Sequence, residues 1–201
     1  MCIELFHKYF FYERVELLKK ICLEGVFPQN YLVEFTRTTP VVITYGPAGL
    51  SGSVKMVGFV PKKEYLPDFV EKAEYYAYHR PRDMKETACI LYREFYNLDY
   101  IDKDAIGGLE MAFRHSWVNI RATHEATLLF YTPPSISFEV RCTVEIHEDD
   151  NDPYKKYLNS LHDIFHHGRS RSNYPAYLFR IKEVYNNSVS RDGFGRKIHP
   201  K

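Results

Sequence analysis

The 201-residue sequence lacks several features that would settle its class at once. No apolar run approaches the roughly 20 residues needed to span a bilayer, and Glu4 and His7 stand where a secretory signal would need a basic start and an unbroken apolar core. A membrane protein is therefore not expected, and the cytoplasm is the expected compartment. An excess of charge of one sign is also lacking, since Lys+Arg 27 balance Asp+Glu 26. Without a net field, neither nucleic acid nor an anionic membrane surface is an expected partner. Cysteine is scarce: Cys2, Cys22, Cys89 and Cys142 share no CxxC or CxxxC spacing, so they read as reduced, buried small hydrophobes.

What the chain does have is apolar and aromatic weight, with 45% hydrophobic residues, Tyr 17 and Phe 14. That composition excludes disorder, and the length suits one domain over residues 1–201 with a substantial core. The clearest pattern is Phe138 to His147. Phe138, Val140, Cys142, Val144 and Ile146 alternate with Glu139, Arg141, Thr143, Glu145 and His147, which is the period of a half-buried antiparallel strand. An acidic turn (148–153), a helix (154–166), a basic loop (168–173) and a second strand (176–185) follow. In that second strand, Leu178, Arg180, Lys182 and Val184 oppose Tyr177, Phe179, Ile181, Glu183 and Tyr185, a mixture that leaves the register open.

Upstream, Leu5, Phe6, Tyr9, Phe10, Leu17, Leu18 and Ile21 recur at helical spacing over residues 3–24, and Gly25 stands where a helix ends. This is a docking helix. Residues 31–35 and 41–45 are β-rich, separated by a Pro40 turn, and 54–60 reads as a further strand. Two helices are expected over 68–79 and 83–96, with Asp83 and Glu86 as a capping box, and a short helix over 104–113. The tyrosine and phenylalanine faces of 75–96 suit a core or a subunit contact. The basic, glycine-containing tail from 186 to 201 is expected to be mobile or to lie over a partner.

Three stretches could carry chemistry. Gly46 to Val54 matches neither GxxxxGK[ST] nor GxGxxG. It is either a turn between strands or an anion cradle in which Ser51 and Ser53 donate and Lys55 supplies charge. Arg114 to Arg121 is a dense polar cluster holding the only tryptophan, followed by a strand-like run from Ala122 to Tyr131. His162 and His166, four apart on a helix, could share a metal with His167, but the glutamate of an HExxH site is missing. A cation at a helix C-terminus explains them as well.

The run His115-Ser-x-x-Asn119-Ile120, followed by Glu125-Ala-Thr-Leu-Leu-Phe130, resembles a segment of pyridoxamine-phosphate-oxidase-like and flavin-reductase-like proteins. The strand, acidic turn, helix and strand of 137–185 resemble the C-terminal half of the same FMN-binding split-barrel superfamily. The resemblance implies an α+β fold, an antiparallel split β-barrel of about six strands over 31–60 and 122–185. Flanking helices and a helical insertion near 68–113 would complete it. It also implies FMN as cofactor, a small-molecule substrate, oxidoreductase activity and a homodimer with flavin at the subunit boundary. Carried onto this chain, Ser51, Ser53 and Lys55 form one edge of the phosphate site, and Arg114, His115, Ser116 and Asn119 the other, with Trp117 or Tyr131 as an apolar wall. A non-catalytic assembly protein on the same barrel, and a histidine-based metal hydrolase, are the alternatives.

Overall fold

The computed structural model describes residues 3–30, 33–34, 36–166 and 171–200. Glu4–His7 (α1) and Glu13–Glu24 (α2) form one rod through a π-helical stretch, Lys8–Tyr12, and the rod ends at left-handed Gly25. Its apolar face is the docking surface that the spacing predicts. Phe6 stacks on Phe10 at 5.7 Å between ring centroids and meets Phe130 and Phe138 edge-on at 5.4 and 5.6 Å. Phe6, Phe10, Phe130 and Phe138 are all buried, and burying each such ring contributes about 2 kcal/mol.

Eight antiparallel strands make one sheet among the described residues: β1 (Val41–Thr44), β2 (Ser51–Val54), β3 (Val57–Gly58), β4 (Ala105–Leu109), β5 (Glu125–Thr132), β6 (Ile136–His147), β7 (Ala176–Asn186) and β8 (Arg196–His199). Their order is β2-β1-β5-β6-β7-β4-β3, with β8 on β7. The two ends of this path, β2 and β3, are consecutive in the chain and joined only by Lys55 and Met56. The three Cα–Cα steps from Val54 to Val57 reach at most about 11 Å, so the sheet must curl until its edges nearly meet. This is the α+β antiparallel split barrel that the resemblance implies, with more strands than the six expected.

The inward face is read directly from the pairing. Phe138, Val140, Cys142, Val144 and Ile146 sit opposite Asn186, Val184, Ile181, Phe179 and Tyr177. Between Arg141 and Cys142 the register shifts, which leaves Lys182 of β7 as an extra residue. That bulge turns the strand over, so Tyr177 and Phe179 share an inward face with Val184. The open register of 176–185 has this physical cause.

The helices are α3 (Leu66–Tyr78), α4 (Met84–Ile90) with a π-helical continuation Leu91–Phe95, α5 (His115–Thr123) and α6 (Pro153–Phe165). Asp83 caps α4 by accepting from the Glu86 amide, the first half of the expected capping box, while the Glu86 carboxylate accepts from the Arg82 amide instead of that of Asp83. Asp152 caps α6 through the Tyr154 and Lys155 amides. Tyr157 of α6 is fully buried and meets Phe69 of α3 and Phe95. No helix among the described residues is long and apolar enough to cross a membrane.

Several expectations are corrected. Residues 104–113 do not form a helix. Ala105–Leu109 is the buried strand β4, and a Cβ on Gly107 would come within 2.6 Å of Leu158 Cδ2, so glycine here admits α6 against the sheet. The helical insertion therefore ends at Phe95. Val33 and Glu34 are helical, not extended, and residues 31, 32 and 35 lie outside the described residues. The hairpin partner of β1 is β2, and 54–60 is broken at Lys55-Met56. Residues 122–123 close α5 before β5 begins at Glu125. The tail returns as β8, whose Lys197 Nζ lies 2.6 Å from Glu183 Oε1. Finally, Cys22 and Cys89 are joined in a disulfide between α2 and α4, while Cys142 is a buried free thiol and Cys2 lies outside the described residues. The expectation of reduced thiols fails because helix packing unites residues 67 apart in sequence. The cytoplasmic expectation loses that support, since disulfides persist in oxidising surroundings.

Candidate functional site

The β1–β2 hairpin and the start of α5 face one another, and Asn119 fastens them. It is fully buried; its Nδ2 donates to Gly49 O at 2.7 Å and Thr44 Oγ1 at 3.2 Å, and its Oδ1 accepts from the Ala48 amide at 2.8 Å. The glycine-rich stretch is thereby a hairpin turn running into β2, the turn reading of that segment.

In front of this clasp lies a cleft of about 110 Å³ lined by Ser51, Ser53, Lys55, Arg114, His115 and Ser116, together with Gly52, Glu110 and Ala112. Six of the eight residues singled out in the sequence thus share one cleft. Ser53 Oγ and Ser116 Oγ are 3.0 Å apart, and Ser51 Oγ lies 3.0 Å from Thr44 Oγ1. Arg114 and His115 are exposed at the head of α5, whose N-cap makes no side-chain capping bond. The other two residues lie outside the cleft lining. Asn119 has its polar atoms committed to the hairpin. Trp117 packs beside Phe113 and Tyr177 with the Arg121 guanidinium 5.0 Å from its ring. Tyr131 is 53% exposed on β5 and lines neither this cleft nor its neighbour.

Sequence reasoning missed Glu110. Only 1% exposed, it accepts from Lys55 Nζ at 2.8 Å, from Tyr177 OH at 2.8 Å and from the Ala112 and Phe113 amides at 2.9 and 2.8 Å. Burial alone would push this carboxyl up, but Lys55, then Tyr177 and the Phe113 amide, outweigh burial and hold it below the usual carboxylate range. Burial and the facing carboxylate push the Tyr177 phenol far up, so it stays a donor. No local pattern marks Glu110, because its two side-chain partners come from β7 and from the link after β2.

Through Lys55 and Ala112 the cleft adjoins a larger groove of about 270 Å³. Its lining includes Met56, Met111, Leu158, Leu161 and Phe165, together with Arg14, His162 and His166. The His162 and His166 rings are 4.5 Å apart, and His162 Nδ1 lies 2.9 Å from Ser172 Oγ. Burial, then the neighbouring His166, push His162 down despite Asp163. Among the described residues no cluster of three or more metal-ligating groups occurs, and His167 lies outside them.

The cofactor that the resemblance implies can be tested on this donor set. Hydroxyls of Ser51, Ser53 and Ser116, an exposed guanidinium and a helix head without a side-chain cap suit a phosphate dianion. Lys55 fits less simply, since its ammonium is already matched by Glu110. The residues present fit the phosphate end of FMN.

No family model matches the chain, and no curated protein does. Solved structures do resemble it. HupZ of Group A Streptococcus shares 10% identity over 86% of this chain and 98% of its own, with a TM-score of 0.48. A pyridoxamine 5'-phosphate oxidase-related FMN-binding protein of Nostoc punctiforme shares 9% over 74% of each chain, with a TM-score of 0.41. An FMN-binding protein of Syntrophomonas wolfei shares 10% over 94% of this chain and 95% of its own, with a TM-score of 0.38. Likenesses this distant carry no chemistry across, and the barrel stands on its own strand order. The chain is an antiparallel split-barrel protein, similar in fold to FMN-binding proteins of that kind.

Proposed function

We propose that this protein binds FMN, with the phosphate in the cleft between β2 and α5, and acts as an oxidoreductase of the pyridoxamine-phosphate-oxidase-like or flavin-reductase-like type. The observation that carries this reading is convergence. Residues 51–55 and 114–116, far apart in sequence, supply hydroxyls, a guanidinium and a helix head to one small cleft beside an apolar groove.

Arg114 is free to fork onto two phosphate oxygens, Ser53 and Ser116 reorient their shared hydroxyl contact to donate, and the α5 amides add their dipole. Lys55, held by Glu110, contributes position more than net charge. When bound, FMN supplies the electron chemistry, so the chain has to bind, orient and keep water from the reacting face. The groove walls of Met56 and Met111 suit that last task.

We also propose that a second copy covers the cleft. Tyr45, Leu50 and Val54, which are 73%, 76% and 68% exposed, ring the hairpin beside it. Flavin-fluorescence quenching on titration with FMN tests the cofactor, and light scattering tests the dimer. Micromolar binding that weakens about tenfold in Arg114→Ala supports the reading, and tenfold corresponds to about 1.4 kcal/mol, the size of one charge-assisted hydrogen bond. No quenching by wild-type protein sinks it.

A further inference from the structure

The groove beside the cleft holds a charge that the fold does not answer. Arg14, near the start of α2, is only 6% exposed. Its Nε has no hydrogen-bond partner among the described residues, and its guanidinium enters no ion pair there. Its neighbour Glu13 is turned to Arg37, 2.8 Å away. Of the residues lining the groove, none is Asp or Glu, whereas Arg14, Lys55, His162 and His166 are cationic or can become so. Lys55 is matched from behind by Glu110. That leaves Arg14, with only the Tyr96 phenol near it, as a buried cation without a carboxylate in the lining of a largely apolar groove. A buried cation without a partner is costly, and a protein retains one where a ligand supplies the counter-charge.

We propose that the groove is a receptor for an apolar organic anion, whose acid group pairs with Arg14 while its body lies along Met56, Met111, Leu161 and Phe165. The planar guanidinium suits a bidentate carboxylate, and Met56 and Met111, exposed to 41% and 48%, form flexible lips that adapt to different apolar bodies. The groove volume of about 270 Å³ accommodates a medium-length acyl chain or a bicyclic ring. Binding stands on Arg14 and the groove alone. Only its interpretation as the substrate of the oxidoreductase rests on the flavin reading.

Isothermal titration of the whole protein with octanoate and with neutral octanamide, without flavin, tests the proposal. Octanoate is expected to bind at least tenfold tighter than octanamide. Arg14→Gln is expected to abolish that preference while leaving octanamide affinity within twofold. Should Arg14→Gln fail to fold, Met111→Glu at the exposed lip decides, since a carboxylate there should weaken octanoate at least tenfold and octanamide much less. Equal affinity of wild-type protein for the two probes, or an acid preference that survives in both variants, overturns the proposal. Failure of FMN to bind the cleft would leave these results unchanged, so the two readings fail separately.

Discussion

The cleft and the groove lie side by side and share Lys55, yet they treat charge in opposite ways. In the cleft, the buried ammonium of Lys55 meets a carboxylate that is itself held by a phenol and two amides. In the groove, the buried guanidinium of Arg14 has the Tyr96 phenol near it but no carboxylate paired with it among the described residues. A charge answered from within the fold is part of the framework. One left unanswered is disposed towards a ligand. Removing the first should therefore cost stability, and removing the second should not.

The largest effect is expected for Glu110→Ala, which strands Lys55, Tyr177 and two amides together. Loss of about 3–5 kcal/mol in urea unfolding is expected, and wild-type stability would contradict the framework role. The sign of the pH dependence follows from the same contacts. The carboxyl is held below its ordinary range when folded, so its contribution is fully present above that range and is lost as pH falls through the lowered value. Urea midpoints measured from pH 6 downwards should converge for wild type and Glu110→Gln in acid.

The disulfide comes next. It closes a separation of 67 residues, and losing that constraint in Cys89→Ser should cost about 4 kcal/mol. Because it ties down the helix that carries Arg14, the same variant should weaken octanoate in the groove and leave FMN in the cleft unchanged. Equal losses at both sites would erase the contrast between them. Asn119→Ala should cost about 1–3 kcal/mol by freeing the hairpin, with FMN affinity falling alongside, and an unaltered thermal midpoint would contradict the clasp. The smallest change has the opposite sign. Arg14→Met keeps the volume and removes the unpaired charge, so stability should hold or rise by about 1 kcal/mol, whereas a loss above about 1 kcal/mol would show that Arg14 is answered within the fold.

The parts of this arrangement that were legible in the sequence are those set by local rules. The alternation of Phe138 to Ile146, the apolar face of the first helix and the Asp83 cap each depend on neighbours a few residues away. The misreadings arose where distant packing decides. Residues 104–113 read as a short helix, yet the missing Cβ of Gly107 is what lets Leu158 reach the sheet. Lys182 looked like one more alternating residue until β6 showed it to be a bulge. Cys22 and Cys89 carry no spacing signal because helix packing brings them together. At the site, hydroxyls and cations near glycines were visible as candidates. Glu110 and Arg14 were not, since one is defined by its partners and the other by lacking them.

The central claim, that residues 51–55 and 114–116 form the phosphate end of a flavin site, is met most directly by titrating FMN into wild-type protein and Arg114→Ala while following flavin fluorescence. Saturable quenching in the micromolar range, weakened about tenfold by a substitution at an exposed residue that leaves the thermal midpoint unchanged, is the expected result. Absence of quenching, or equal quenching by both proteins, would contradict it.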